Sequence, residues 1–196
     1  MIPGAARVVY NRVMSPPAVL STIEDLLRLP EKDGVRYELI DGELVEGPLA
    51  AYYHEFVKSV FHRLFCDYLR QNPIGLVFSE MMVELGPHEG LIPDVTIVFS
   101  DRLPSPDSRK LFQGAPDIAV EVVSSEEANR LQTKIRAYFR AGCKAVLVAY
   151  PTHQTIHVCR PDGAVRVLEG EQILELPDLL PGFRAPASQF FRSSSQ

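Results

Sequence analysis

Apolar residues recur along this chain with two different periods, and the switches between them mark out its elements. Over residues 51–71 the pairs Phe56/Val57, Val60/Phe61, Leu64/Phe65 and Tyr68/Leu69 step by four, which predicts a long amphipathic helix stopped by Asn72-Pro73. A second helix is predicted from about 126 to 141, with Leu131, Ile135 and Tyr138 on its buried stripe and Gly142 as the residue that ends it. A shorter one opens at Ser21-Thr22-Ile23-Glu24, a capping-box pattern, and closes before Pro30. The runs 35–40 and 43–46 surround Asp41-Gly42, the dipeptide suited to a type I′ turn, and so predict a β-hairpin. Further strands are expected over 76–85, 91–99, 117–123, 145–150, 155–160 and 165–168, with the Pro- and Ser-rich stretch 101–114 as a mobile loop. This order predicts an α/β (α+β) fold in which a mixed central sheet is flanked by helices.

Length and composition narrow the class. At 196 residues and 46% hydrophobic content, the chain can bury one full core. The expected organisation is a disordered extension over 1–20, a single domain over 21–192 and a flexible tail over 193–196. No apolar run approaches the ~20 residues that span a bilayer, and the first fourteen or so residues lack the apolar core of a secretory signal. A cytoplasmic protein with no membrane partner is expected. Cys66, Cys143 and Cys159 show no C-x-x-C spacing and read as reduced thiols rather than a disulfide or zinc framework. The net charge of −5 argues against a protein that coats nucleic acid non-specifically, while leaving local binding open.

Two acidic residues stand out because they interrupt strongly apolar strand-like runs: Asp94 in Leu91-Ile92-Pro93-Asp94-Val95, and Glu121 in Ile118-Ala119-Val120-Glu121-Val122-Val123. Burying an ionised carboxylate costs several kcal/mol unless a partner or a metal compensates. Pro93-Asp94 taken alone reads as a turn, since Pro-Asp recurs at 106, 116, 161 and 177. Strand alternation sets Asp117, Ala119, Glu121 and Val123 on one face, however, and on neighbouring strands Asp94 and Glu121 can converge on one ion. Mg²⁺ prefers one or two carboxylates with waters and phosphate oxygens, which suits this pair. Lys134 falls three residues after Leu131 and four before Tyr138, beside the buried stripe, where its ammonium could reach those carboxylates rather than snorkel to water. Arg130, one turn earlier, is expected to lower the proton affinity of Lys134. Glu80, with Glu38 or Glu43, could add a carboxylate, although a surface position is the favoured reading for each.

The sequence now resembles the Uma-type restriction-endonuclease-like family within the PD-(D/E)XK nuclease superfamily. The motifs that carry the likeness extend from about Ser21 to Phe191. They are Arg36-Tyr37-Glu38-Leu39-Ile40-Asp41-Gly42-Glu43, His54, Pro93-Asp94, Gly114-Ala115-Pro116-Asp117, Glu121-Val122-Val123-Ser124, Lys134, Tyr138 and Leu180-Pro181-Gly182-Phe183. The resemblance implies a restriction-endonuclease-like core and Mg²⁺-dependent hydrolysis of DNA phosphodiesters, with Mn²⁺ as a substitute, by a homodimer whose partner is DNA. It implies that Asp94 and Glu121 bind the ion, that the carbonyl of Val122 adds a ligand, and that Lys134 orients the attacking water. His54, Ser124 and Tyr138 match recurrent positions of the family, which implies supporting or substrate-contacting roles, and Glu80 is a further candidate for such a role from its place in the strand before Asp94. The chain departs from the pattern in two places: Val123 stands where the superfamily's lysine usually does, and Ser125 and Arg130 replace the family's usual proline and aspartate. A second function class therefore stays open: a weak or inactive nuclease-fold protein that binds DNA or protein, with Asp94, Glu121 and Lys134 as a structural ion cluster.

Overall fold

The computed structural model describes residues 20–30, 35–47, 52–106, 108–123 and 128–192. Both the extension expected before Leu20 and the tail after Arg192 lie outside these. The first helix, α1 (Ile23–Leu27), is capped one residue later than the sequence pattern implies. Its N-cap is Thr22, whose hydroxyl accepts from the Asp25 N–H while the Asp25 carboxylate accepts from the Thr22 N–H, so the reciprocal box uses an aspartate rather than Glu24. Strands β1 (Arg36–Ile40) and β2 (Glu43–Gly47) form the expected hairpin, and Asp41 and Gly42 both take positive φ, 52° and 78°, as a type I′ turn requires. Helix α2 (Tyr52–Gln71) follows.

Two expected strands are each broken in half. Residues 76–85 become β3 (Gly75–Ser79) and β4 (Val83–Gly86), separated at Glu80, whose φ of 51° leaves strand geometry. Residues 91–99 become β5 (Glu89–Leu91) and β6 (Val95–Phe99), separated by Ile92-Pro93-Asp94, where Pro93 has no N–H to give to a ladder. The breaks divide the strands between two sheets. One sheet has the order β2-β1-β5-β4-β7, where β7 (Phe112–Gln113) lies inside the stretch expected to be an irregular loop. The other has the order β11-β10-β9-β8-β6-β3, built with β8 (Ile118–Val122), β9 (Ala145–Tyr150), β10 (Thr155–Cys159) and β11 (Val165–Glu169). A third, two-stranded sheet of β12 (Ile173–Leu176) and β13 (Leu180–Pro186) has no counterpart among the expected strands.

The six-stranded sheet is mixed: β8 runs antiparallel to β6 and parallel to β9. Its central strands are buried on both faces, which is why β8 and β9 read as nearly continuous apolar runs. Ile118, Val120 and Val122 pack with Val57, Phe61 and Phe65 of α2. On the other face Ala119, Val146 and Val148 pack with Leu131, Ile135 and Tyr138 of α3 (Ala128–Arg140), whose chain turns away at Gly142 in a left-handed conformation. Among the described residues no helix is long and apolar enough to cross a membrane.

Candidate active site

The end of β8 carries the chemistry, because three separate elements deliver charged side chains to it. In the β6/β8 ladder Val95 stands opposite Val120; Asp94, just before β6, donates its N–H to the Val120 carbonyl and accepts at its carboxylate from the Val122 N–H, which brings it to the Glu121 end of β8. Both carboxylates are buried, Asp94 at 1% exposure and Glu121 at 5%. Lys134, also buried, places its ammonium 2.8 Å from Glu121 Oε2 and 3.0 Å from Glu38 Oε1. The Tyr138 hydroxyl, one turn further along α3, donates to Glu121 Oε1 at 2.6 Å. Leu131, Lys134, Ile135 and Tyr138 thus share one inward face of the helix, two of them apolar and two polar.

Asp94 is held from several sides. The Val122 N–H donates to its Oδ2 at 2.7 Å, His54 Nε2 of α2 lies 3.4 Å from the same oxygen, and Arg36 Nη1 of β1 lies 3.5 Å from Oδ1. Burial alone would raise the pKa of this carboxyl, but His54, the Val122 N–H and Arg36 hold it below the usual carboxylate range. Glu121 goes the other way. Burial, together with the neighbouring charges of Asp94 and Glu38, pushes it up to about 7 despite the opposing pull of Lys134. Burial likewise opposes the charge on Lys134, yet Glu121 and Glu38 hold its ammonium above the usual lysine range. Arg130 is exposed, and the ammonium is held above the usual range, against the lowering expected from this arginine. Burial and the Glu121 carboxylate keep the Tyr138 phenol neutral, with its pKa well above the ordinary value.

Glu38 departs from the surface position favoured for it. It is buried, accepts a 2.7 Å hydrogen bond from the Ile92 N–H and shares Lys134 with Glu121. The signal was present in β1: Arg36, Glu38 and Ile40 alternate onto one face, and Ile40 belongs to the apolar cluster under α3, so the face looks inward. Arg36 shares that face. Lys58, one turn after His54 on α2, is a further buried charge that its amphipathic pattern did not expose. Glu80 stays at the surface as expected, about half exposed, and pairs with Lys58 and Arg36 rather than with the carboxylates. Ser124 lies outside the described residues. Asp117, which alternation sets on the Glu121 face, belongs to a separate cluster at the start of β8 with Arg102 and Lys144.

The carboxylates offer oxygen donors only, which suits a hard cation, and the nearby charges of Asp94 and Glu38 add to the burial that raises the pKa of Glu121. Among the described residues no three His, Cys, Asp or Glu side chains form a group able to hold a metal. One or two carboxylates, with the other positions left to water and substrate oxygens, are a donor set of the kind a hard divalent cation takes.

Residues 23–188 match the model of the Uma2 family, described as "Putative restriction endonuclease". No curated protein matches the chain. Among solved structures, the chain is similar to one described as "a putative nuclease belonging to DUF820 from Anabaena variabilis ATCC 29413", with 21% identity, a TM-score of 0.78, and coverage of 87% of this chain and 97% of that one. At that identity the likeness establishes the fold, which the two proteins share.

Proposed function

Because the chain belongs to the Uma2 family, we propose that it is a Mg²⁺-dependent DNA endonuclease whose centre is Asp94, Glu121 and Lys134. One observation carries the reading: a buried lysine ammonium lies on a buried glutamate, and the N–H of the next residue along holds a buried aspartate. Random surface charge does not produce this arrangement, since each group is costly to bury and depends on the others. Asp94 and Glu121 would hold the ion, with the Val122 carbonyl as a further ligand, and Mn²⁺ would substitute. When bound, the ion supplies a water of lowered pKa and neutralises charge developing on the phosphate.

The remaining work falls to the chain's own groups. Lys134, kept protonated by Glu121 and Glu38, presents a fixed positive charge toward the reacting phosphate and its attacking water. Glu38 holds that ammonium in place, anchored in turn by the Ile92 N–H. Tyr138 orients Glu121 by donating to one oxygen, which leaves the carboxylate in a single rotamer. His54 and the Val122 N–H do the same for Asp94. A homodimer, with one centre facing each strand of a duplex, completes the reading; sedimentation velocity at micromolar concentration tests it, and a monomer alone would remove that part.

The second reading is a DNA- or protein-binding module without catalysis, and it too has a specific observation behind it. Each oxygen of Asp94 and Glu121 lies near a protein group. A saturated cluster of this kind can serve structure alone. Supercoiled plasmid incubated with the protein separates the two readings. Nicking that requires Mg²⁺ or Mn²⁺ and disappears in chelator supports the nuclease. DNA binding with no nicking under either ion would leave the binding module.

A further inference from the structure

Beside the proposed metal centre, Arg36 and Lys58 form a second charged feature with an inverted arrangement of exposure. Their side chains are only 20% and 10% exposed, whereas the carboxylate between them, Glu80, is 49% exposed. A single oxygen, Glu80 Oε1, lies 3.0 Å from Lys58 Nζ and 3.6 Å from Arg36 Nη1. One anionic oxygen therefore bridges two cations from its solvent side. Both cations also touch carboxylates deeper in the structure or alongside: Asp94 lies 3.5 Å from Arg36, and Glu55 2.7 Å from Lys58. Removing Glu80 would take away a carboxylate oxygen that the two cations share, while leaving both anchored.

Glu80 reaches this bridge through a backbone that does not favour it. Its φ of 51° lies in the left-handed region, which costs a glutamate of order 1 kcal/mol or more, and its N–H donates to the Asp94 carbonyl. The same residue thus abuts Asp94 through its backbone and caps the two cations through its side chain. A phosphodiester group carries one negative charge and two free oxygens, and could bridge an arginine fork and a lysine ammonium more fully than one carboxylate oxygen does.

We propose that Arg36 and Lys58 are a second phosphate-binding cradle, taking a phosphodiester next to the one being cut, and that Glu80 is the resident anion which that phosphate displaces. The position of the cradle relative to the scissile bond rests on the nuclease reading. Glu80 then acts as an internal competitor: it pairs with both cations in the free protein and makes DNA binding an exchange of anions.

The test is DNA binding in chelator, measured by fluorescence anisotropy with a labelled duplex across a salt series. Glu80→Gln should bind about three- to tenfold more tightly than wild type at low salt, with the log–log salt slope steeper by about one phosphate contact. Lys58→Met should bind more weakly with a shallower slope, and in the Glu80→Gln/Lys58→Met double variant the gain from Glu80→Gln should shrink. Glu80→Asn, which removes the same charge from a surface position and suits a left-handed backbone, repeats the first arm if Lys58→Met does not fold. Unchanged or weaker binding by both Glu80 variants, a gain that persists in full in the double variant, or no binding by any protein overturns the cradle. Metal-dependent plasmid nicking is read separately: its absence in wild type fails the nuclease reading, while the binding series alone decides the cradle.

Discussion

Strand β8 has a buried carboxylate near each end, and the two are set in opposite electrostatic surroundings. Asp117, immediately before the strand, is fully buried and meets two cations, Lys144 at 2.9 Å and Arg102 at 3.1 Å, plus the Phe99 N–H at 2.8 Å. Burial would raise its pKa, but those groups outweigh it and hold the carboxyl below the usual range. Glu121, at the far end, shares one lysine with Glu38 and faces Asp94, and its pKa rises. The first cluster has cations to spare. The second has too few, and an anionic surplus in a buried place is where an added cation gains most. Burial of a carboxylate is common to both, so burial by itself separates structure from function poorly; the balance of neighbouring charge does so better.

The sharpest way to break this contrast is to neutralise each end in turn. Glu121→Gln should reduce metal-dependent plasmid nicking by about a thousandfold or more, since it removes a charge on which several kcal/mol of transition-state stabilisation would depend. Thermal melting of the metal-free variant should be no lower than that of wild type, because a glutamine does not repel Asp94 and Glu38. Asp117→Asn should do the reverse. Nicking per folded molecule should be preserved, while stability falls by about 3 kcal/mol for want of the charge that two cations face, the half-exposed Lys144 keeping the loss at the lower end. Equal losses of nicking in the two variants would erase the distinction.

Lys134→Ala probes the surplus from the other side. It should slow cleavage by about 10²–10³-fold while leaving DNA binding nearly intact, as expected of a charge aimed at the reacting phosphate, corresponding to about 2.7–4 kcal/mol. It also strands two buried glutamates without their shared cation, so denaturant unfolding should show a loss of about 3–5 kcal/mol near neutral pH. That loss should shrink toward pH 5, where Glu121 holds its proton. A binding defect equal to the cleavage defect would place Lys134 in the binding module reading.

The smallest effect is a pH slope. Glu121 titrates at about 7 in the folded protein against an ordinary value of 4.5, so the folded state holds the extra proton between them. Its contribution to stability is complete below about pH 4.5 and is lost as pH rises through 7. Metal-free protein should therefore lose stability across that window, and Glu121→Gln should flatten the curve. The lowered pKa of Asp117 works with the opposite sign: its stabilisation is present above the ordinary aspartate pKa and is lost as pH falls through its folded value. Urea denaturation at half-unit pH intervals checks both limbs. Mg²⁺ should raise the melting temperature more at pH 8 than at pH 5.5, since protonated Glu121 competes with the ion.

Helix α2 and the β1–β2 hairpin were legible in the sequence because their signals are local: four-residue apolar steps in one, and Asp-Gly at a two-residue turn in the other. Asp94, Glu121 and Lys134 were legible for a related reason, since each is a charge where its own element's periodicity calls for an apolar residue. Arg36 and Lys58 were missed, and Glu38 was weighed as a carboxylate but read as a surface residue. Each sits in an element with a polar face that a solvated charge would occupy equally well, and only the placement of a second sheet beside the first turns that face inward. The strand breaks at Glu80 and at residues 92–94 were missed too, because apolar alternation continues across them.

What the sequence determined by itself is the set of elements whose patterns repeat within a few residues, along with those charges whose burial violates such a pattern. Short-range periodicity follows from backbone geometry, and any chain with these residues carries it. The tertiary structure alone decided which charges meet: Glu38 with Lys134 across 96 positions, Arg36 with Asp94 across 58, and Glu80 between two cations. Such meetings depend on sheet order and register. Those are set by how whole faces pack, and the energy of an ion pair depends on a dielectric and a set of neighbours that do not exist until the chain has folded.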